Sequence, residues 1–235
     1  MKELLQLIQE RQSDRMPFDA DHKIAEQDLF KILEAGRWTP TAHNMQNYEI
    51  IVVNDSKVLG SIANIKRPIS EIFIRENYYQ LSFSEEELLK RKTGLLGTMF
   101  PPAWRNPDFK FAENAEPIQR PFPACPVMLI VVYDPSKRAP ASEGDFLGIL
   151  SLGCLMENMW LMANSLGICF HIVSSLSADS AEKEVKDILS FPDNLKIAFS
   201  CRLGYKPSAP LKYLRVRRDI EDFTSYNKFG NKKQE

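Results

Sequence analysis

The chain has 235 residues, 44% of them hydrophobic and 26% charged, enough to bury a sizeable core in one domain. A formal net charge of −1 and a pI near 6.4 give no overall attraction to nucleic acid or an anionic membrane, so clustered arginines are read as local sites. Cys125, Cys154, Cys169 and Cys201 lie in or beside apolar runs without paired spacing, and His22, His43 and His171 are scattered. Neither a disulfide framework nor a metal site is expected, and a reducing cytoplasm is the expected compartment.

Leu4, Leu5, Leu7 and Ile8 have helical spacing, so a first amphipathic helix is predicted over 2–9, with polar residues that break any secretory-signal pattern. It ends at Arg11, Gln12, Ser13, Asp14 and Arg15. Two guanidiniums with a hydroxyl between them supply charged, bidentate donors and a neutral donor of close approach, which is phosphate-binding chemistry. Taken alone, such a cluster is more often a solvated face. A helix predicted over 26–37 leads into Pro40, Thr41, Ala42, His43, Asn44, Met45 and Gln46, and a strand is predicted over 48–53, so this second cluster is a helix-to-strand connection. By itself it also reads as a turn at a helix exit.

Helices over 58–65 and 85–91 are predicted next, the second inside a Pro-rich, aromatic stretch from 67 to 123. That stretch is too aromatic for a disordered linker and is read either as an excursion covering a site or as a packed subdomain. A strand is predicted over 127–133, followed by a nearly continuous apolar helix over 146–166. Glu157, Asn158 and Asn164 interrupt it and no basic flanks anchor it, so a helix buried on every side is expected rather than a membrane span. Strands over 168–173 and 195–203 enclose a helix over 180–189 for which Ser180 is the expected cap. Arg215, Arg217 and Arg218 form the last cluster, before a polar tail from 227 to 235. The pattern is α+β or three-layer α/β with a mixed sheet.

Taken in order, these elements resemble the nitroreductase family of FMN-dependent oxidoreductases. Arg11, Ser13 and Arg15 fill its Arg-x-Ser-x-Arg opening, and Pro40, Thr41, Asn44, Gln46, Asn47 and Tyr48 fill its Pro-Ser-x-x-Asn-x-Gln segment. Leu166, Gly167 and Ile168 resemble its helix exit, and Leu203, Gly204 and Tyr205, followed by Arg215 and Arg217, resemble its closing element. The resemblance implies one domain over 1–235, with a three-layer α/β/α fold around a mixed, mainly antiparallel sheet and the excursion near the active site.

It further implies FMN held by Arg11, Gln12, Ser13, Arg15, Arg215 and Arg217, with Arg15 as the cation near the pyrimidine end of the ring. Pro40, Thr41, Ala42, Asn44 and Gln46 correspond to the segment that reaches the partner's flavin in a homodimer, and the apolar helix over 146–166 corresponds to one that lies in the core and at the dimer interface. Val173, Ser174 and Ser175 stand where many members have paired glycines beside the ring, and here both are serine. Asn47 and Tyr48 replace the commoner Pro-Trp, and Asn64 to Arg67 is the weak counterpart of a further contact. The implied activity is electron transfer from NADH or NADPH to a nitroaromatic, quinone or similar acceptor by a ping-pong scheme. A flavin-handling protein with little nicotinamide turnover, and a specialised dehalogenase or ene reductase, are the alternative readings.

Overall fold

The computed structural model describes residues 3–67, 84–91, 124–140, 146–206 and 215–232. Apart from Arg67 and residues 84–91, the excursion expected over 67–123 is outside the described residues until Ala124 begins the next segment. The chain divides into two compact units, residues 1–67 with 119–209 and residues 68–118 with 210–235.

The first unit holds helices α1 (Leu4–Glu10) and α2 (Glu26–Arg37), strand β1 (Glu49–Val53) and helix α3 (Ser56–Ala63). After the break come β2 (Val127–Tyr133), α5 (Phe146–Ser165), β3 (Cys169–Ile172), α6 (Asp179–Leu189) and β4 (Lys196–Gly204). The second unit contributes α4 (Glu85–Arg91) and α7 (Ile220–Phe223).

The strands order β1-β2-β4-β3, and each neighbouring pair is antiparallel. Parallel pairing enters only as an isolated bridge between Ser13 and Phe170, so the mixed character expected of the sheet is reduced to that one contact among the described residues. β2 is buried along nearly its whole length. A strand covered on both faces loses the apolar-polar alternation and reads as a continuous apolar run. Its successive side chains serve two cores. Val127, Leu129 and Val131 join α2 and α5 through Ile32, Leu155, Met159 and Trp160. Met128, Ile130 and Val132 join α3 and α6 through Ile62, Ala181 and Val185. This alternation gives the three layers of an α+β fold.

Several boundaries move for local reasons. Helix α3 starts two residues before the predicted 58 because the Asp55 carboxylate accepts the Lys57 and Val58 amides at 2.9 and 3.0 Å. Ser180 is not a cap: α6 begins at Asp179, after Ala178, with no side-chain cap, and Ser180 sits in its first turn. A tight 3-10 turn over Ser174–Ser177 delivers the chain directly into that helix. Gly167, at φ 73°, ends α5 in the left-handed conformation, and the Ile168 amide reaches back to the Ala163 carbonyl at 2.9 Å.

Within one chain helix α5 is only partly buried. By length and composition it is apolar enough to cross a membrane, with mean hydropathy 1.5. It packs on α1, α2 and β3 instead, burying Leu152, Leu155, Met159, Trp160 and Ala163, while Phe146, Leu147, Ile149 and Leu150 in its first turns are exposed. Cys154 on the same helix is exposed as well, unlike the fully buried Cys201.

Candidate functional site

The Arg11–Arg15 segment runs along the outer edge of β3. Ser13 bridges Phe170, and the Asp14 amide donates to the Phe170 carbonyl at 3.0 Å. The chain continues beside the end of β4, where the Phe18 amide meets the Ala124 carbonyl at 2.9 Å and the Asp19 amide meets the Tyr205 carbonyl at 2.9 Å. Gly204 is required by that approach, since a Cβ there would stand 2.8 Å from both Phe18 Cβ and Pro126 Cδ. The glycine of the Leu-Gly-Tyr element is therefore a packing requirement of the loop that carries the arginines.

Arg11 is oriented by two contacts on α5. Its Nε donates to Glu157 Oε1 at 2.7 Å, and its guanidinium lies 4.6 Å over the Trp160 ring. This leaves the terminal part of the fork for an anion. Gln12 Nε2 donates to Asp14 Oδ1 at 2.9 Å, and Arg15 Nη1 donates to the Ser13 carbonyl at 3.2 Å. Asp14 is buried and ion-paired with Lys206 at 2.7 Å. Beside it the Cys169 thiol is pushed up to about 12, first by burial and then by the Asp14 charge. Cys125 is likewise raised by burial to about 11, so neither thiol is an available nucleophile near neutral pH.

The second cluster hangs nearer the start of the same helix. The Ala42 amide donates to Ser151 Oγ at 3.0 Å, and Gln46 donates from its amide to Thr41 Oγ1 at 3.2 Å and from Nε2 to Asn44 Oδ1 at 3.0 Å. His43, Asn44 and Gln46 all have left-handed φ, at 50°, 52° and 44°. Three such residues in one short loop store backbone strain of a kind that persists only where the surroundings fix it. The anchors are Ser151 on one side and Asn47 on the other, whose Nδ2 reaches the Asp134 carbonyl at 2.8 Å. Pro40, Asn44 and Gln46 are exposed, and Thr41 and Ala42 are half-buried.

A rise of about 1.5 Å and a turn of about 100° per residue separate Ser151 from Glu157 by about 9 Å along α5 and about 120° around it. Within one chain, then, the two clusters address different sides of one helix and are not brought together. Val173, Ser174 and Ser175 follow β3 on the strand whose edge holds Ser13. Val173 is buried, with its amide on the Ser200 carbonyl at 2.7 Å, and the two serines are exposed. Neither serine is in the left-handed region, so the turn has no conformational need for glycine.

Arg215 and Arg217 belong to the second unit, where both are exposed and Arg217 Nη1 donates to the Val216 carbonyl at 2.7 Å. Nearby, Arg218 lies 5.5 Å over Phe223 and Asp219 forms a capping box with Asp222 at the start of α7. Asn64 is the C-terminal cap of α3, and burial lowers Arg67 to about 10. Among the described residues no group of three His, Cys, Asp or Glu is placed to hold a metal ion. The sequence alone assigned no site role to Glu157, Lys206, His171 or Arg202. The detectable signal was Arg202, a charge inside the apolar Phe199–Leu203 run of a central strand.

The sequence profile of the nitroreductase family matches residues 8–205. The chain belongs to the nitroreductase family. As a member it is an oxidoreductase, with the α+β fold of that family. The fold is similar to a nitroreductase with bound FMN from Bacteroides fragilis, at 22% identity and TM-score 0.60, covering 96% of this chain and 100% of that one. A putative NADH dehydrogenase/NAD(P)H nitroreductase from Bacteroides thetaiotaomicron is similar at 15% identity and TM-score 0.62, covering 97% and 100%. A nitroreductase family protein from Clostridium novyi is similar at 19% identity and TM-score 0.57, covering 98% and 97%. No curated protein matches the chain in sequence.

Proposed function

We propose that this nitroreductase-family chain is an FMN-dependent oxidoreductase that takes electrons from NADH or NADPH and passes them to a flat, electron-poor acceptor such as a nitroaromatic or quinone. The observation that carries the reading is the Arg11–Arg15 segment fixed on the β3 edge. It gathers two guanidiniums, one held by Glu157 and Trp160, with the Ser13 hydroxyl, and this donor set fits a phosphate. Bound FMN would supply the two-electron chemistry that these side chains cannot perform.

In this reading Arg11, Gln12 and Ser13 hold the phosphate and its chain. Arg15 would supply positive charge that favours the anionic reduced form of the cofactor. Val173, Ser174 and Ser175 would help hold the cofactor, with the exposed serine hydroxyls as donors in place of closely approaching glycine amides.

Pro40, Thr41, Ala42, Asn44 and Gln46 act across a homodimer interface. The support is geometric: they hang on a different side of α5 from Arg11, and exposed Leu4, Leu5, Phe30, Phe146, Ile149 and Leu150 lie on α5 and on α1 and α2, which each pack against it. The test is gel filtration after incubation with FMN. Flavin absorbance eluting with a dimer supports the proposal. Flavin on a monomer contradicts the shared site, and a colourless protein peak contradicts flavin binding altogether.

A further inference from the structure

Arg202 is fully buried on β4, and its cross-strand partner on β3 is His171. Its guanidinium ties together parts of the first unit that are far apart in sequence. Nε and Nη2 meet His171 Nδ1 at 3.1 and 2.7 Å, and Nη1 donates to the Ala124 carbonyl at 3.2 Å. Nη2 also faces the carbonyls of Arg15 and Met16 at 3.4 and 3.3 Å, and the group lies 4.7 Å over the Phe18 ring.

These acceptors are neutral. His171 is held far below the ordinary imidazole range, at about 3, by burial first and then by the charges of Arg202 and Arg15. Its Nδ1 is therefore an acceptor at neutral pH, with the ring proton on Nε2. Burial lowers Arg202 only to about 10, so it keeps its charge. A desolvated cation is costly unless its donors are satisfied, and the fork meets that requirement with main-chain carbonyls of the arginine segment. The segment is thus pinned twice: at Ser13 and Asp14 by the β3 edge, and at Arg15 and Met16 by Arg202.

We propose that Arg202 is a positioning residue for the Arg11–Arg15 segment, with His171 as its fixed acceptor, so that it governs FMN affinity through the Arg15 and Met16 carbonyls. This rests on the flavin reading above. Lysine at 202 keeps the charge but has a point donor in place of the fork, and methionine at 202 has neither. The two replacements separate geometry from charge.

The test is titration of FMN into flavin-free Arg202→Lys, Arg202→Met and His171→Gln proteins, read by quenching of flavin fluorescence, with near-UV circular dichroism and Tm recorded on the same samples. The expected result is an FMN Kd raised at least ten-fold in Arg202→Lys and further in Arg202→Met, with a smaller rise in His171→Gln. A merely structural role would lower Tm and leave the Kd of the folded protein alone. Folded Arg202→Lys or His171→Gln with a Kd within two-fold of wild type would overturn the clamp while leaving the flavin reading in place. Wild-type protein that takes up no FMN would overturn both. If Arg202→Met does not fold, the lysine and glutamine variants decide the matter.

Discussion

Arg11 is oriented by Glu157 and Trp160, and in the flavin reading the rest of its fork holds the phosphate. A lost charged hydrogen bond is worth about 1.5–3 kcal/mol, so Arg11→Lys, which keeps the charge but not the fork, should raise the FMN Kd about ten-fold or more. Unchanged affinity in the fluorescence titration would remove Arg11 from the phosphate assignment. His171 makes a different prediction. Its folded pKa is depressed from about 6.5 to about 3, so as pH falls the unfolded chain takes up the proton first. Stability is fully present above about pH 6.5 and is lost from there down to about pH 3, at up to about 1.4 kcal/mol per pH unit. Carboxylates titrate in the lower part of the same window, so the measurement is urea unfolding of wild type and His171→Gln at pH 7 and pH 5.5. The wild type should lose more stability over that interval than the variant, and equal losses would contradict the assignment.

The elements follow from sequence where one physical signal dominates. α2, α4 and β2 occur over the residues predicted, because their periodicity or continuous apolar character has no local competitor. Boundaries moved where a single side chain decided them, as at Asp55, or where a tight turn fed a helix, as at Ser174–Ser177. The motifs at Arg11–Arg15 and Leu203–Tyr205 were legible, but their mutual dependence was not, because it rests on contacts distant in sequence. Gly204 shows this. Its Cβ would collide with Phe18 and Pro126, so Gly204→Ala should destabilise the protein by about 1–3 kcal/mol and loosen the arginine segment with it. Urea unfolding and FMN affinity should worsen together, and a variant of wild-type stability would show that the approach is not tight. Arg202 and His171 escaped sequence reading because a polar pair inside a sheet is satisfied only by cross-strand register and by the carbonyls of another segment.

For the whole molecule, the informative element is α5. Composition asks for cover on every side, and the chain covers it only in part. In the proposed homodimer the exposed Phe146, Leu147, Ile149 and Leu150 are covered by the second copy. Ile149→Glu with Leu150→Glu should therefore yield a monomer by analytical ultracentrifugation, with FMN lost. A flavin-loaded dimer carrying both charges would place the interface elsewhere.

The most direct measurement is the visible spectrum of the FMN-loaded protein during anaerobic addition of NADH or NADPH, followed by a nitroaromatic or quinone. Bleaching by the nicotinamide and return of the yellow colour with the acceptor is the predicted result. A bound flavin that stays oxidised with both nicotinamides would contradict the oxidoreductase account and favour a flavin-handling protein instead.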